Sequence, residues 1–132
     1  MRTLAILVAS YPTKHDLGRL VQYDYLTVHS ADAKGPPSLH PPLPLRSGEL
    51  LVRRGLIESG IHLMMGRALV CRYVEPDGLS YGAEDAAGAF LDNLKSPYIA
   101  AVRDRAEWVA ETFDDLDVLQ LDAVVKSFFE TW

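Results

Sequence analysis

Asp24, His29, Asp32 and His40 fall within one short span, and these are residue types that ligate metal ions. His29 and Asp32 have workable spacing for one turn of chain, and His40 would complete a site by folding back. A small metalloenzyme built on His29, Asp32 and His40 is therefore one reading. The competing reading is that His29 and His40 hydrogen-bond backbone and hold the loop in shape. Neither an H-E-x-x-H motif nor a cysteine pair supports metal. Asp114, Asp115 and Asp117 resemble a paired-carboxylate cluster, but they sit at a helix junction, where acids favour the positive end of the helix dipole and cap it. No G-x-S-x-G elbow is present, and Cys71 lies in an expected strand with no evident base. No P-loop occurs, so nucleotide chemistry is expected to reside in a partner. The chain reads as a non-enzyme without a cofactor or metal.

The elements that would position these residues follow from periodicity. The apolar run Leu4 to Ala9 is too short for a secretory core and reads as a buried helix or strand, ending at Pro12. Asp16 caps a second helix, with Leu17, Leu20, Val21, Asp24-Tyr25 and Val28 along one stripe, ending near His29 or Ser30. Residues 31–46 form a proline-rich loop carrying Pro36, Pro37, Pro41, Pro42 and Pro44. So stiff a loop between two helices fixes a geometry and points toward docking. Ser47 is the expected N-cap of the next helix, with Leu50, Leu51 and Arg54 on successive turns. Ser59-Gly60 reads as a break, followed by a short second helix over 61–67. Leu69 to Glu75, the turn Pro76-Asp77-Gly78 and Leu79 to Ala83 make a two-stranded hairpin.

Helix, turn, short helix and hairpin spell a winged helix-turn-helix, with the hairpin as wing. The expected fold is mainly α: a winged helix-turn-helix core with a small β-hairpin wing, flanked by N-terminal and C-terminal helices. Glu84 to Leu94 is one such helix, Ser96-Pro97 opens a second running to Phe113, and Asp115 or Asp117 opens a last one through Phe128 and Phe129. Trp108 either fills the core beside Ile99, Val102, Ala106 and Val109 or anchors a partner, and the stripe favours the core. The organisation is one domain over 1–132: N-terminal helices in 1–30, the loop in 31–46, helix-turn-helix and wing in 47–84, and C-terminal helices in 85–132.

With 48% hydrophobic residues, the chain can bury a core, and its low charge excludes disorder. The single cysteine fits a reducing cytosol, and no run approaches a membrane span. The net charge of -5 argues against a general nucleic-acid coat, but it is unevenly spread. Arg46, Arg53, Arg54, Arg67 and Arg72 face only Glu49 and Glu58 between residues 46 and 72, whereas from Tyr73 onward thirteen acids outnumber four bases. A basic surface could meet DNA or an acidic partner. The expected recognition helix offers only His62 and Arg67, while Met64 and Met65 suit a core or protein interface. Partner binding is accordingly assigned to His40, Pro41, Arg53, Arg54, His62, Met64, Met65 and Arg67. The alternative, a winged-helix DNA-binding regulator, would use Arg53, Arg54, His62, Arg67 and Arg72.

Several stretches resemble a known family. They include Asp24-Tyr25-Leu26, Val28-His29-Ser30, Ser38-Leu39-His40-Pro41 and Gly48-Glu49-Leu50-Leu51-Val52-Arg53-Arg54, then Phe90-Leu91, Ser96-Pro97-Tyr98 and Trp108-Val109. They are similar to the middle components of bacterial ABC three-component systems, and the opening helix ending in Tyr11-Pro12 looks like one subtype. The resemblance implies a cytoplasmic, non-enzymatic adaptor between an SMC/Rad-like ABC ATPase and an effector. It also implies a role in defence against phages or plasmids, as in Lamassu-type systems.

Overall fold

A computed structural model describes residues 1–41 and 46–129, without the side chains of 46–49, 51, 128 and 129. The predicted positions Pro42, Pro44 and Trp132 lie outside the described residues. Helix α1 (Arg2–Ser10) runs through the middle of the core. Leu4, Ala5, Ile6 and Leu7 are all buried, so this helix is apolar all round rather than striped. It packs along α5 (Pro97–Phe113) and crosses α2 (Leu17–Val28). Asp16 caps α2 by accepting from the Arg19 backbone N–H at 2.7 Å. From Tyr23 to Ser30 every residue is buried, because α2 is enclosed by α1, α3 and α5. A short 3-10 turn (Ser30–Ala33) leads into the proline loop.

Residues Arg46–Gly66 form one helix, α3. Ser47 lies within it rather than capping it, and the expected break at Ser59-Gly60 is not made. The reason is the packing face. Leu50, Arg53, Ile57, Ile61 and Met64 recur at helical steps on both sides of Gly60 and bear on the core. That continuous face outweighs the ~1 kcal/mol that a mid-helix glycine costs. The two short helices of the expected helix-turn-helix are thus a single rod. It ends in a Schellman motif, with Leu69 N–H bonded to Met64 O and Ala68 N–H to Met65 O, and Ala68 itself at φ 57°.

The hairpin follows as expected. Strands β1 (Val70–Glu75) and β2 (Gly78–Ala83) are antiparallel, with Val70 opposite Ala83 and Glu75 opposite Gly78. Gly78 sits at φ 135°, a conformation that side chains resist. His15 forms a further antiparallel bridge to Tyr81 on the outer side of β2. Helix α4 (Ala86–Asp92) is shorter than expected. Ser96 caps α5 and Pro97 occupies its first turn. Asp117 and Gln120 bond each other's backbone N–H groups at 2.8 and 2.9 Å, opening α6 (Val118–Phe129). No helix among the described residues is long and apolar enough to cross a membrane.

Candidate functional site

The residues with chemical potential gather in two buried clusters. The first centres on Asp24, on α2. Its carboxylate accepts from Arg2 Nε at 2.9 Å and from Arg2 Nη2 at 3.2 Å, and it is also paired with Arg53 of α3. Arg53 further contacts His29 Nε2 at 3.4 Å and lies 5.3 Å from the Tyr25 ring centre. Tyr25 donates to Asp32 at 2.5 Å. The Arg2 guanidinium is held above its ordinary range because the Asp24 contacts outweigh the burial that opposes its charge. Helices α1, α2 and α3 are thereby joined at one buried carboxylate.

His40 sits beside this cluster. Its ring stacks on Tyr98 at 5.9 Å with a 10° interplanar angle, and its Nε2 lies 2.7 Å from the Tyr98 hydroxyl. Burial, and then the nearby Arg2 and Arg53 charges, push its pKa below the usual histidine value. The His40 ring meets a tyrosine of α5, the His29 ring meets Arg53, and the His40 backbone N–H is bonded to Val28 O. Among the described residues no group of three or more His, Cys, Asp or Glu side chains is placed to hold a metal ion.

The described part of the loop is strapped down along its length. Leu39 and His40 both donate to Val28 O at 3.0 Å, and Arg105 Nε donates to Pro37 O at 3.0 Å. Ser30 Oγ donates to Pro36 O at 2.8 Å. Trp108 lies directly against Gly35, where an added Cβ would come within 2.3 Å of the ring. Trp108 is half-buried and joins the core through an edge-on contact with Phe113 at 5.6 Å.

The second cluster contains Ser10, His15, Tyr23 and Asp114. His15 Nε2 is 2.9 Å from Ser10 Oγ and 3.4 Å from Asp114 Oδ1. Tyr23 donates to the same Asp114 oxygen at 2.7 Å, and Ser10 does so at 3.3 Å. Arg19 Nη2 donates to Phe113 O at 2.6 Å and to the Tyr23 hydroxyl at 3.1 Å. A nucleophilic triad needs the acid on Nδ1 and the serine on Nε2. Here both approach Nε2, and Ser10 is buried, so the geometry is that of a knot tying α1, α2 and α5. Burial pushes the His15 pKa down against the pull of Asp114, and burial with Asp114 pushes that of Tyr23 up. Sequence reasoning missed this knot because its members are scattered along the chain.

The residues assigned to partner binding separate into two groups. Arg54, His62, Arg67 and Pro41 are exposed, and so is Arg72 of the DNA reading. Arg53 and Met64 are buried, His40 and Met65 partly so. Among the described side chains of α3, the large apolar ones left exposed are Val52, Leu56 and Leu63. Met64, expected in a core or a protein interface, is in the core, with Met65 packed against it.

These features define a mainly helical scaffold with a small two-stranded sheet, whose buried ionisable groups bind its own helices together. A family model described as ABC-three component (ABC-3C) system Middle Component 2 matches residues 1–132, and the chain belongs to that family. Membership makes it an accessory component of a system with other subunits. No curated protein and no solved structure matches it.

Proposed function

We propose that this protein is a non-enzymatic adaptor that links an SMC/Rad-like ABC ATPase to an effector, acting by protein–protein binding in anti-phage or anti-plasmid defence in the cytoplasm. The observation that carries the reading is the match of the whole chain, residues 1–132, to a middle-component family. The geometry is consistent with it. The buried carboxylates and histidines are engaged in internal ties, whereas apolar side chains stand exposed on α3. The order of helix and then hairpin over residues 47–84 supports a winged-helix relationship. A functional kinship with Lamassu-type accessory subunits belongs to the same reading.

The test is co-expression of the full chain with the other two components of its own system, followed by affinity purification and light scattering. A stable complex holding the ATPase, and the effector through this chain, is the expected result. A chain that purifies alone in the presence of both would sink the proposal. Tight, steeply salt-dependent binding of the lone chain to duplex DNA would instead favour a regulator using Arg54, His62, Arg67 and Arg72.

A further inference from the structure

A cavity of about 330 Å³ opens where α1, α3 and α5 meet beside the Asp24 cluster. That volume lies at the lower end of the roughly 300–1,000 Å³ of small-molecule sites. Leu56, Ile57 and Ile99 line it with apolar surface, and its charged side chains are those of Arg2, Asp24 and Arg53. Asp24 and Arg53 are 2% and 5% exposed, so the charged side of the cavity is built into the core. A few convergent polar groups set in apolar walls are the general make-up of a ligand site.

Arg2 decides what the cavity accepts. Its side chain is 32% exposed and lines the opening. A guanidinium presents its N–H donors as a rigid fork with more than one usable edge. Asp24 takes the side-on edge, through Nε and Nη2. Tyr98 is the one other side-chain partner of Arg2 among the described residues. The fork therefore retains donors for a further acceptor. Arg53 shares Asp24 from α3, so the carboxylate divides its charge between two guanidinium groups, and Arg2 keeps an attraction for a second anion. A carboxylate matches the fork, and an apolar body behind it matches the walls. A phosphate dianion would instead lose hydration against Leu56, Ile57 and Ile99 without replacement. We propose that this cavity binds a small carboxylic acid in its ionised form, with Arg2 taking the charged group and the apolar walls taking the body. The proposal goes beyond the adaptor reading and does not depend on it.

The experiment titrates the full chain, at fixed ionic strength, with hexanoate and benzoate and with the uncharged matches 1-hexanol and benzyl alcohol. Amide chemical shifts are the readout. At least one carboxylate should bind saturably with a Kd on the order of 1 mM or tighter, shifting the amides of Arg2, Ile57 and Ile99. Its alcohol match should bind about tenfold more weakly or worse, because it lacks the charge-assisted bond. Arg2 variants disturb the buried carboxylate, so the decisive substitutions are at Leu56, which is 69% exposed on the lip of the cavity. Leu56→Asp places a competing carboxylate there, and Leu56→Asn has the same size without the charge. Both should keep the wild-type circular dichroism, and Leu56→Asp should bind the carboxylate about tenfold more weakly than Leu56→Asn. Three results overturn the proposal: no saturable carboxylate binding up to about 20 mM, alcohols that bind as well as the acids, or equal affinity in the two Leu56 variants. None of them bears on whether the chain is an adaptor.

Discussion

Gly35 is the most exposed to test of the positions in the proline loop. An alanine there would place its Cβ 2.3, 2.4 and 2.8 Å from Cζ2, Cη2 and Cε2 of Trp108. Ordinary carbon contacts begin near ~3.4 Å, so the loop and the indole must separate by about 1 Å. Neither side yields easily. The Gly35 N–H is bonded to Ser30 O at 3.0 Å, and Arg105 pins Pro37 O from α5. The indole is backed by Phe113 in edge-on contact. Overpacking of this kind costs about 1–3 kcal/mol. For a domain of this size each kcal/mol moves the melting temperature by about 3–5 °C, so Gly35→Ala should melt about 3–15 °C below wild type.

A matched control separates this contact from the general effect of replacing glycine. An added Cβ at Gly60, within α3, meets nothing within 4 Å. Gly60→Ala should therefore gain up to ~1 kcal/mol from helix propensity. Trp108→Phe removes the ring atoms that Gly35→Ala strikes, and in that background the alanine should cost at least ~1 kcal/mol less. Urea melts of wild type, Gly35→Ala, Trp108→Phe and the double variant make the double-mutant cycle, with Gly60→Ala as the control. If Gly35→Ala is within ~0.5 kcal/mol of wild type, the loop is not clamped by Trp108 and its role as a brace fails.

Three further outcomes are expected. Asp24→Ala removes the carboxylate that Arg2 and Arg53 share in the interior, and should cost about 3–5 kcal/mol in urea unfolding; a loss under ~1 kcal/mol would show that the charges are solvated. Burial holds His15 below its ordinary pKa, so below about pH 6.5 the unfolded chain binds more protons than the native one. Stability should accordingly be full above that pH and fall as pH drops toward the folded value, and His15→Gln should flatten this component relative to wild type; parallel curves for the two between about pH 8 and pH 5 would refute it. Ala68→Gly relieves a left-handed residue at φ 57° and should raise stability by about 0.5–1 kcal/mol, less the entropy the glycine adds to the unfolded chain, as read by thermal melts; a loss of stability would refute it.

Local signals carried far in this chain, and non-local ones did not. The Asp16 cap, the Ser96-Pro97 helix start, the Pro76-Asp77-Gly78 hairpin turn and the Asp117 helix start each depend on residues within a few positions of one another. All four stand in the structure. The failure at Ser59-Gly60 has the opposite character. Glycine and serine weaken a helix locally, but the decision rests with Ile57, Ile61 and Met64 meeting a core built from α1 and α2. That contact is not visible in a window of sequence. Arg53 was misplaced for the same reason: its carboxylate, Asp24, lies 29 residues away, and nothing near Arg53 announces burial.

The same distinction bears on where function lies. An adaptor needs a rigid body and a face that is incomplete alone. In this chain the rigid body is secured by its ionisable residues: Asp24 joins three helices, Asp114 ties the ends of α1 and α5, and His40 and Arg105 fasten the loop to α5. Buried polar ties of this kind are costly to break and specify one arrangement of helices. With the proline loop held to α5 and α2 held to α3 through Asp24 and Arg53, the outer face of α3 is presented at a fixed angle. A partner subunit would then meet a body that needs no ordering on contact, and the conformational cost of association falls mainly on the partner. On the adaptor reading, histidines and aspartates that first suggest catalysis are what hold the partner-facing body in shape.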